Sequence, residues 1–146
     1  MNRNIFKSFL KKVDNNPSFN FIKTKENNLW KWHTREDILY NVNGCIEKLN
    51  DYKINKGDRI IYKGKNSVEW LSWNLATYSI GAEWIPMYEQ QEIEHCNHVI
   101  SDSGAKLFIT NQDLKFDNIH MLSDKLEPSR NVINFNSQEN ELSNLI

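Results

Sequence analysis

The chain has 146 residues, a net charge of -1 and 39% apolar residues. That length sets an expectation of one domain, able to bury roughly 68–70% of its unfolded surface. The balanced charge gives no bulk electrostatic case for nucleic acid or an anionic membrane, and no apolar run approaches the ~20 residues of a membrane-spanning helix.

Ile5, Phe6, Phe9, Leu10 and Val13 alternate with Lys7, Lys11 and Lys12, which predicts an amphipathic basic helix stopped by Asn15-Asn16-Pro17. No signal peptide precedes it. Docking of its apolar face on the domain is the preferred reading over a membrane-surface or targeting helix. Phe19 to Ile22 and Leu29 to Trp32 flank Glu26-Asn27-Asn28, a pattern for a β-hairpin with a short polar loop. Thr34 and Asp37 form a capping-box-like helix start, with Asp standing in for Glu. Ile38, Leu39, Val42, Cys45, Ile46 and Leu49 follow at helical spacing.

Residues 57–110 read as strand, helix, strand, helix, strand. Ile60-Ile61-Tyr62, Glu83 to Tyr88 and Lys106 to Thr110 are short apolar runs without strict alternation, as in parallel strands buried on both faces. Ser67 is suited to N-cap the first crossover helix, Val68, Leu71, Leu75 and Tyr78 share one face, and Gly81 supplies a left-handed stop. The second helix is expected from about Glu92 to Ser101, with Ile93, Cys96, Val99 and Ile100 inward and Asp102-Ser103-Gly104 at its end. The fold class is therefore α/β: a doubly wound, largely parallel βαβαβ sheet behind an N-terminal helix and hairpin. Beyond Thr110 the pattern predicts a helix at 117–126, a strand at 131–135 and the start of a helix at 137–146. No linker or repeat argues for a second domain.

Candidate chemistry gathers at strand carboxyl ends and helix starts. Lys63-Gly64-Lys65-Asn66-Ser67 carries lysine, glycine and a hydroxyl ahead of a helix, but lacks the glycine spacing and the Lys-Ser/Thr pair of a phosphate loop. A turn with a capping serine accounts for it. His95 and His98 could share a helix face, yet no third ligand stands at a recognised spacing, so exposed histidines are expected. Ser101-Asp102-Ser103 has no elbow or base and reads as a helix terminus. Trp30, Trp32, Trp70, Trp73 and Trp84 read as packing aromatics rather than a stacking platform. Cys45 and Cys96 have no CxxC partner and read as reduced core thiols of a cytoplasmic protein.

Six fragments in order carry a resemblance. Trp32-His33-Thr34-Arg35-Glu36-Asp37 resembles the W-T-Y-x-E-L helix start of adenylate-forming enzymes. Lys56-Gly57-Asp58-Arg59-Ile60 is similar to their K-G-D-R-V strand entry, and Lys65-Asn66-Ser67-Val68-Glu69-Trp70 to x-N-S-x-E-W. Ile80-Gly81-Ala82 matches x-G-A, Ile85-Pro86-Met87-Tyr88 matches V-P-L-Y, and Asp102-Ser103-Gly104-Ala105-Lys106 matches D-S-G-A-K. The chain thus resembles the N-terminal part of the adenylate-forming, AMP-binding superfamily, most nearly the long-chain acyl-CoA synthetases.

The resemblance implies ATP-dependent activation of a carboxylic acid to an acyl-adenylate, then transfer to coenzyme A, with magnesium. It also implies a Thr/Ser/Gly-rich ATP loop following residue 146, an adenine-binding motif, a ribose-binding Asp and a catalytic Lys, none of which has a counterpart here. No catalytic, cofactor-binding or metal residue is therefore assigned. Residues 1–146 are expected to be a single partial domain, truncated before the ATP loop, inactive alone and binding no cofactor by itself. Its expected partner is a complementing polypeptide or a full-length synthetase. The alternative is a non-catalytic binding or regulatory module docking on such a synthetase.

Overall fold

The computed structural model describes residues 4–110 and 132–134. Helix α1 (Ile5–Asn15) starts at Asn4, whose Oδ1 accepts from Phe6 N–H at 2.8 Å and whose Nδ2 donates to the Tyr78 carbonyl at 3.1 Å. This cap, absent from the sequence reading, fixes α1 to a distant part of the chain. Phe9 and Val13 are buried, so the apolar face docks inward as expected, although Ile5 is 59% exposed.

Strands β1 (Asn20–Glu26) and β2 (Leu29–Thr34) form the hairpin, each longer than its apolar run. Asn27 (φ 49°) and Asn28 (φ 64°) make the two-residue turn between the facing residues Glu26 and Leu29. Positive φ at both central positions is the hairpin-turn geometry that suits asparagine. Thr34 then caps α2 (Arg35–Asp51) through the reciprocal box: Asp37 N–H donates to Thr34 Oγ1 at 3.2 Å, and Thr34 N–H to Asp37 Oδ2 at 2.9 Å. Ile38, Val42, Cys45 and Leu49 are fully buried along its inner face.

The remaining elements are β3 (Arg59–Lys63), α3 (Val68–Ser79), β4 (Glu83–Met87), α4 (Ile93–Ser103), β5 (Leu107–Thr110) and β6 (Val132–Asn134). The sheet order is β4-β3-β5-β6, parallel throughout, so the chain steps to one side of β3 and then crosses to the other. β6 falls within the predicted 131–135 strand; the helices expected at 117–126 and 137–146 lie outside the described residues.

Two cores explain the unbroken apolar strands. Ile60, Tyr62, Leu107 and Ile109 face α1, α2 and α3, whereas Ile61, Met87 and Phe108 join Cys96 and Ile100 of α4 on the opposite side. Helix α3 is more enveloped than its predicted stripe, because Ser72, Trp73, Asn74, Leu75, Ala76 and Thr77 are all buried while Val68, Leu71 and Tyr78 are only half-buried. Its buried hydroxyls bond back into the helix: Ser72 Oγ donates to the Val68 carbonyl at 2.7 Å and Thr77 Oγ1 to the Trp73 carbonyl at 2.8 Å. That local pairing lets polar residues line a buried face.

Candidate functional site

The two ends of the sheet differ in character. At the amino ends the chain is cross-tied. Gly57 N–H donates to the Gly81 carbonyl at 3.0 Å, Glu83 N–H to the Asp58 carbonyl at 2.8 Å, and Lys106 N–H to the Arg59 carbonyl at 2.8 Å. Side chains add to this: the Arg59 guanidinium donates to Glu83 at 2.8 Å and to the Ser103 carbonyl at 2.7 Å, while Lys106 Nζ reaches the Lys53 carbonyl at 2.7 Å and Asp58 at 3.3 Å. Three of the six sequence fragments, around Lys56-Gly57-Asp58-Arg59, Gly81-Ala82 and Ser103-Gly104-Ala105-Lys106, meet in this knot. They register three parallel strands against one another and lie away from the carboxyl ends.

The carboxyl ends are where a doubly wound sheet gathers ligands, because adjacent crossovers leave on opposite faces and open a crevice. Lys63 and Thr110 pair in register there and both are buried. Lys63 Nζ donates to the Glu89 carbonyl at 2.7 Å, tying the end of β3 to the loop after β4. Beside this tie opens a cleft of about 450 Å³ lined by Lys65, Asn66, Trp70, Tyr88, Glu89 and Gln90 among others. Tyr88 is 78% exposed on its rim. Trp70 of the cleft wall stands edge-on to Trp84 at 5.5 Å, and Trp84 stacks on Tyr62 at 5.3 Å, so that wall is anchored in the core.

The described residues do not fit a nucleoside triphosphate with magnesium. Ser67 Oγ already accepts from Trp70 N–H at 3.1 Å at the start of α3, and Glu69 lies in the first turn. A carboxylate there opposes an anion at the positive helix end. Among the described residues no group of three or more His, Cys, Asp or Glu side chains could hold a metal. The cleft can accept a small, flat or apolar group against Trp70 and Tyr88. Lys65 and Glu89 are the charged residues among the described lining.

Each residue weighed from sequence has a place. His95 and His98 are exposed on α4, and Ser101-Asp102-Ser103 ends that helix, with Gly104 left-handed at φ 64° just beyond it. Cys45 and Cys96 are free and buried. Burial, reinforced by Glu69, pushes the Cys45 thiol well above its ordinary value; burial also raises Cys96, against a lowering by nearby Lys63. The aromatics require a correction. Trp70, Trp73 and Trp84 pack, but Trp30 and Trp32 are 61% and 49% exposed. Among the described residues Trp30 and Trp32 share a hairpin face with Lys23 and Lys25, and a run such as Leu-Trp-Lys-Trp does not by itself say whether that face is covered.

The fold is that of the N-terminal portion of adenylate-forming enzymes. VinN superposes on 97% of this chain with a TM-score of 0.77 at 16% identity, and the Mycobacterium tuberculosis fatty acyl CoA synthetase on 96% with a TM-score of 0.74 at 21% identity. The AMP-binding enzyme family matches residues 9–144, and the chain belongs to that family. Over 66 residues, 45% of its length, this chain is 32% identical to malpibaldin synthetase of Mortierella alpina. The chain spans 34% and 28% of the two solved relatives and 1% of malpibaldin synthetase.

Proposed function

We propose that residues 1–146 are a single partial domain, the opening βαβαβ unit of the adenylating domain of an ATP-dependent acid–CoA ligase, with a long-chain fatty acid as the carboxylic substrate. In that reaction the acid becomes an acyl-adenylate with release of pyrophosphate, and the acyl group then passes to coenzyme A. The observation that carries the reading is the extent of the family match, residues 9–144, over a fold shared with the fatty acyl CoA synthetase across 96% of the chain. The fatty-acid choice draws on that likeness and on the Ile85-Pro86-Met87-Tyr88 ending. Against it stands VinN, solved with L-aspartate and with 3-methylaspartate.

The 146 residues do not turn over alone. Gly44, Gly57, Gly64, Gly81 and Gly104 are too dispersed for a phosphate loop, and positioned charge is nearly all the catalysis that transfer at phosphorus receives. ATP, magnesium and coenzyme A are held by further adenylating-domain chain, in the same polypeptide or a second one, in the cytoplasm. Among the described residues β4 stands first in the sheet order, and its outer edge could take such an extension.

Acid-dependent ATP–pyrophosphate exchange tests this, on the purified 146-residue chain and on any longer product that carries it, captured from native cells with an antibody to the chain. Palmitate-dependent exchange by the longer product, with none from the chain alone, is the expected result. Exchange by the chain alone overturns the partial-domain reading; exchange with aspartate in place of palmitate overturns the substrate.

A further inference from the structure

The hairpin carries a surface that the ligase reading does not use, and the geometry points to its occupant: we infer that the β1–β2 hairpin seats this chain on the headgroup layer of an anionic bilayer. The inference stands apart from the ligase reading and can fail without it.

Its first ground is an alternating ladder. Lys23 faces Trp32 and Lys25 faces Trp30 across the two strands. Lys23 Nζ lies 5.5 Å from the Trp30 ring centre and 5.3 Å from that of Trp32, and Lys25 Nζ lies 5.8 Å from Trp30. Residues of the opposite phase turn inward: Ile22 packs against the core, and Thr24 Oγ1 meets His33 Nε2 at 2.7 Å. Lys23, Lys25, Trp30 and Trp32 are all exposed, and Leu29 at the turn is 73% exposed beside them. Large indole rings with lysines interleaved suit a headgroup layer, where the ring sits at the apolar boundary and the ammonium reaches phosphate.

The second ground is charge segregation. The net charge of -1 conceals it: residues 4–34 hold Lys7, Lys11, Lys12, Lys23, Lys25 and Lys31 against only Asp14 and Glu26, a net of +4. Helix α1 adjoins the hairpin base, with Phe9 and Phe21 centred 5.9 Å apart, and its three lysines are exposed. The acids nearest the hairpin from other elements, Asp37 and Glu69, line the groove between it and the starts of α2 and α3, which Lys23, Lys25, Trp30 and Lys31 of the hairpin also border. A cationic, aromatic protrusion on an otherwise acidic chain complements a negative surface. Because the apolar face of α1 is spent on the core, the hairpin rather than the helix supplies the insertion.

Co-sedimentation of the full 146-residue chain with vesicles tests this, using phosphatidylcholine alone and an equal mixture with phosphatidylglycerol. The chain is expected to pellet with the mixed vesicles only, and less as salt rises. The Lys23→Gln/Lys25→Gln variant is expected to lower partitioning roughly thirtyfold, from two lost phosphate contacts. The Trp30→Ser/Trp32→Ser variant should lose it while Lys53→Gln/Lys56→Gln keeps it, with unchanged melting curves for the hairpin variants. Failure of the folded chain to bind mixed vesicles at low salt overturns the inference. So does binding lost in Lys7→Gln/Lys11→Gln but kept in both hairpin variants, or binding to soluble polyglutamate without binding to vesicles, which would make the partner an acidic protein.

Discussion

Gly81 sits where two backbone demands meet, and its replacement separates them. Its φ of 74° is left-handed, and a Cβ built on it would lie 3.0 Å from Lys56 Cγ and 3.6 Å from Lys56 Cβ and Cδ. Gly57, its hydrogen-bonding neighbour, has a φ of 87° with nothing within 4 Å of such a Cβ. Alanine in the left-handed region costs about 1–2 kcal/mol, offset by about 0.4–1 kcal/mol of lost unfolded-state entropy. Gly57→Ala should therefore destabilise by roughly 0.5–1 kcal/mol. Gly81→Ala carries the same penalty and must also displace a side chain near its root, adding about 0.5–1.5 kcal/mol.

A double-mutant cycle isolates the contact. Lys56→Ala removes Cγ and Cδ, so in that background Gly81→Ala should fall to the level of Gly57→Ala. Urea denaturation followed by tryptophan fluorescence, on the four combinations of Gly81→Ala and Lys56→Ala plus Gly57→Ala, reads these differences. The expected coupling is about 0.5–1.5 kcal/mol. Coupling below about 0.3 kcal/mol, within the scatter of independent sites, or a Gly57→Ala cost equal to that of Gly81→Ala, refutes the steric part of the argument.

Three other substitutions or conditions probe other layers. Thr34→Ala and Asp37→Ala each remove one arm of the capping box and should each cost about 1 kcal/mol in urea melts, with their effects less than additive because the arms are reciprocal. Trp73→Ala, at 1% exposure, should cost about 3–5 kcal/mol, whereas Trp30→Ala should stay within about 0.5 kcal/mol; equal effects would mean the hairpin ring is packed after all. Alkaline stability follows from buried acids. Burial raises Cys45 and Cys96 above 9.0 and Tyr62 above 10.0. The unfolded chain therefore releases protons that the native chain retains, and stability, intact below pH 9, declines as pH rises past it. The slope approaches about 1.4 kcal/mol per pH unit for each such group. Cys45→Ala flattens part of that decline; a midpoint insensitive to pH between 9 and 10.5 would contradict the raised values.

The sequence was most legible where local chemistry and burial agree. The Thr34–Asp37 box, the Ser67 cap and the turn glycine Gly81 were recognisable because each solves a backbone problem with few residue types. The strands of the parallel sheet were recognisable because burial on both faces removes polar alternation. Other features depend on distant partners and leave no local trace. Asn4 caps α1 while gripping the Tyr78 carbonyl 74 positions away, and α3 buries Ser72, Asn74 and Thr77, which a single-stripe reading assigns to solvent. Trp30 and Trp32 were misread because an aromatic strand looks the same whether or not a second layer covers it. Topology alone points to the carboxyl-end cleft; the aromatic contacts that anchor its Trp70 through Trp84 to Tyr62 span three elements and require the fold.

The placement of the resembling fragments explains why fold likeness persists at 16% identity while no phosphate cradle forms among the described residues. Three fragments meet at the amino ends, where they fix strand register through carbonyls, amide hydrogens, Arg59 and Lys106. Backbone hydrogen bonds tolerate most side-chain change, so only turn glycines, caps and a few charged ties need to recur. Two further fragments, Lys65 to Trp70 and Ile85 to Tyr88, lie at the ligand-gathering ends, where Lys65, Asn66, Trp70 and Tyr88 line the cleft with Glu89, and the resemblance assigns no chemistry to them. The resembling fragments therefore lie at both ends of the sheet: three tie strand register at the amino ends, and two border the crevice at the carboxyl ends. Damage at Gly81 or Arg59 should lower stability in urea melts, whereas change at the exposed Lys65 or Tyr88 should leave it nearly untouched.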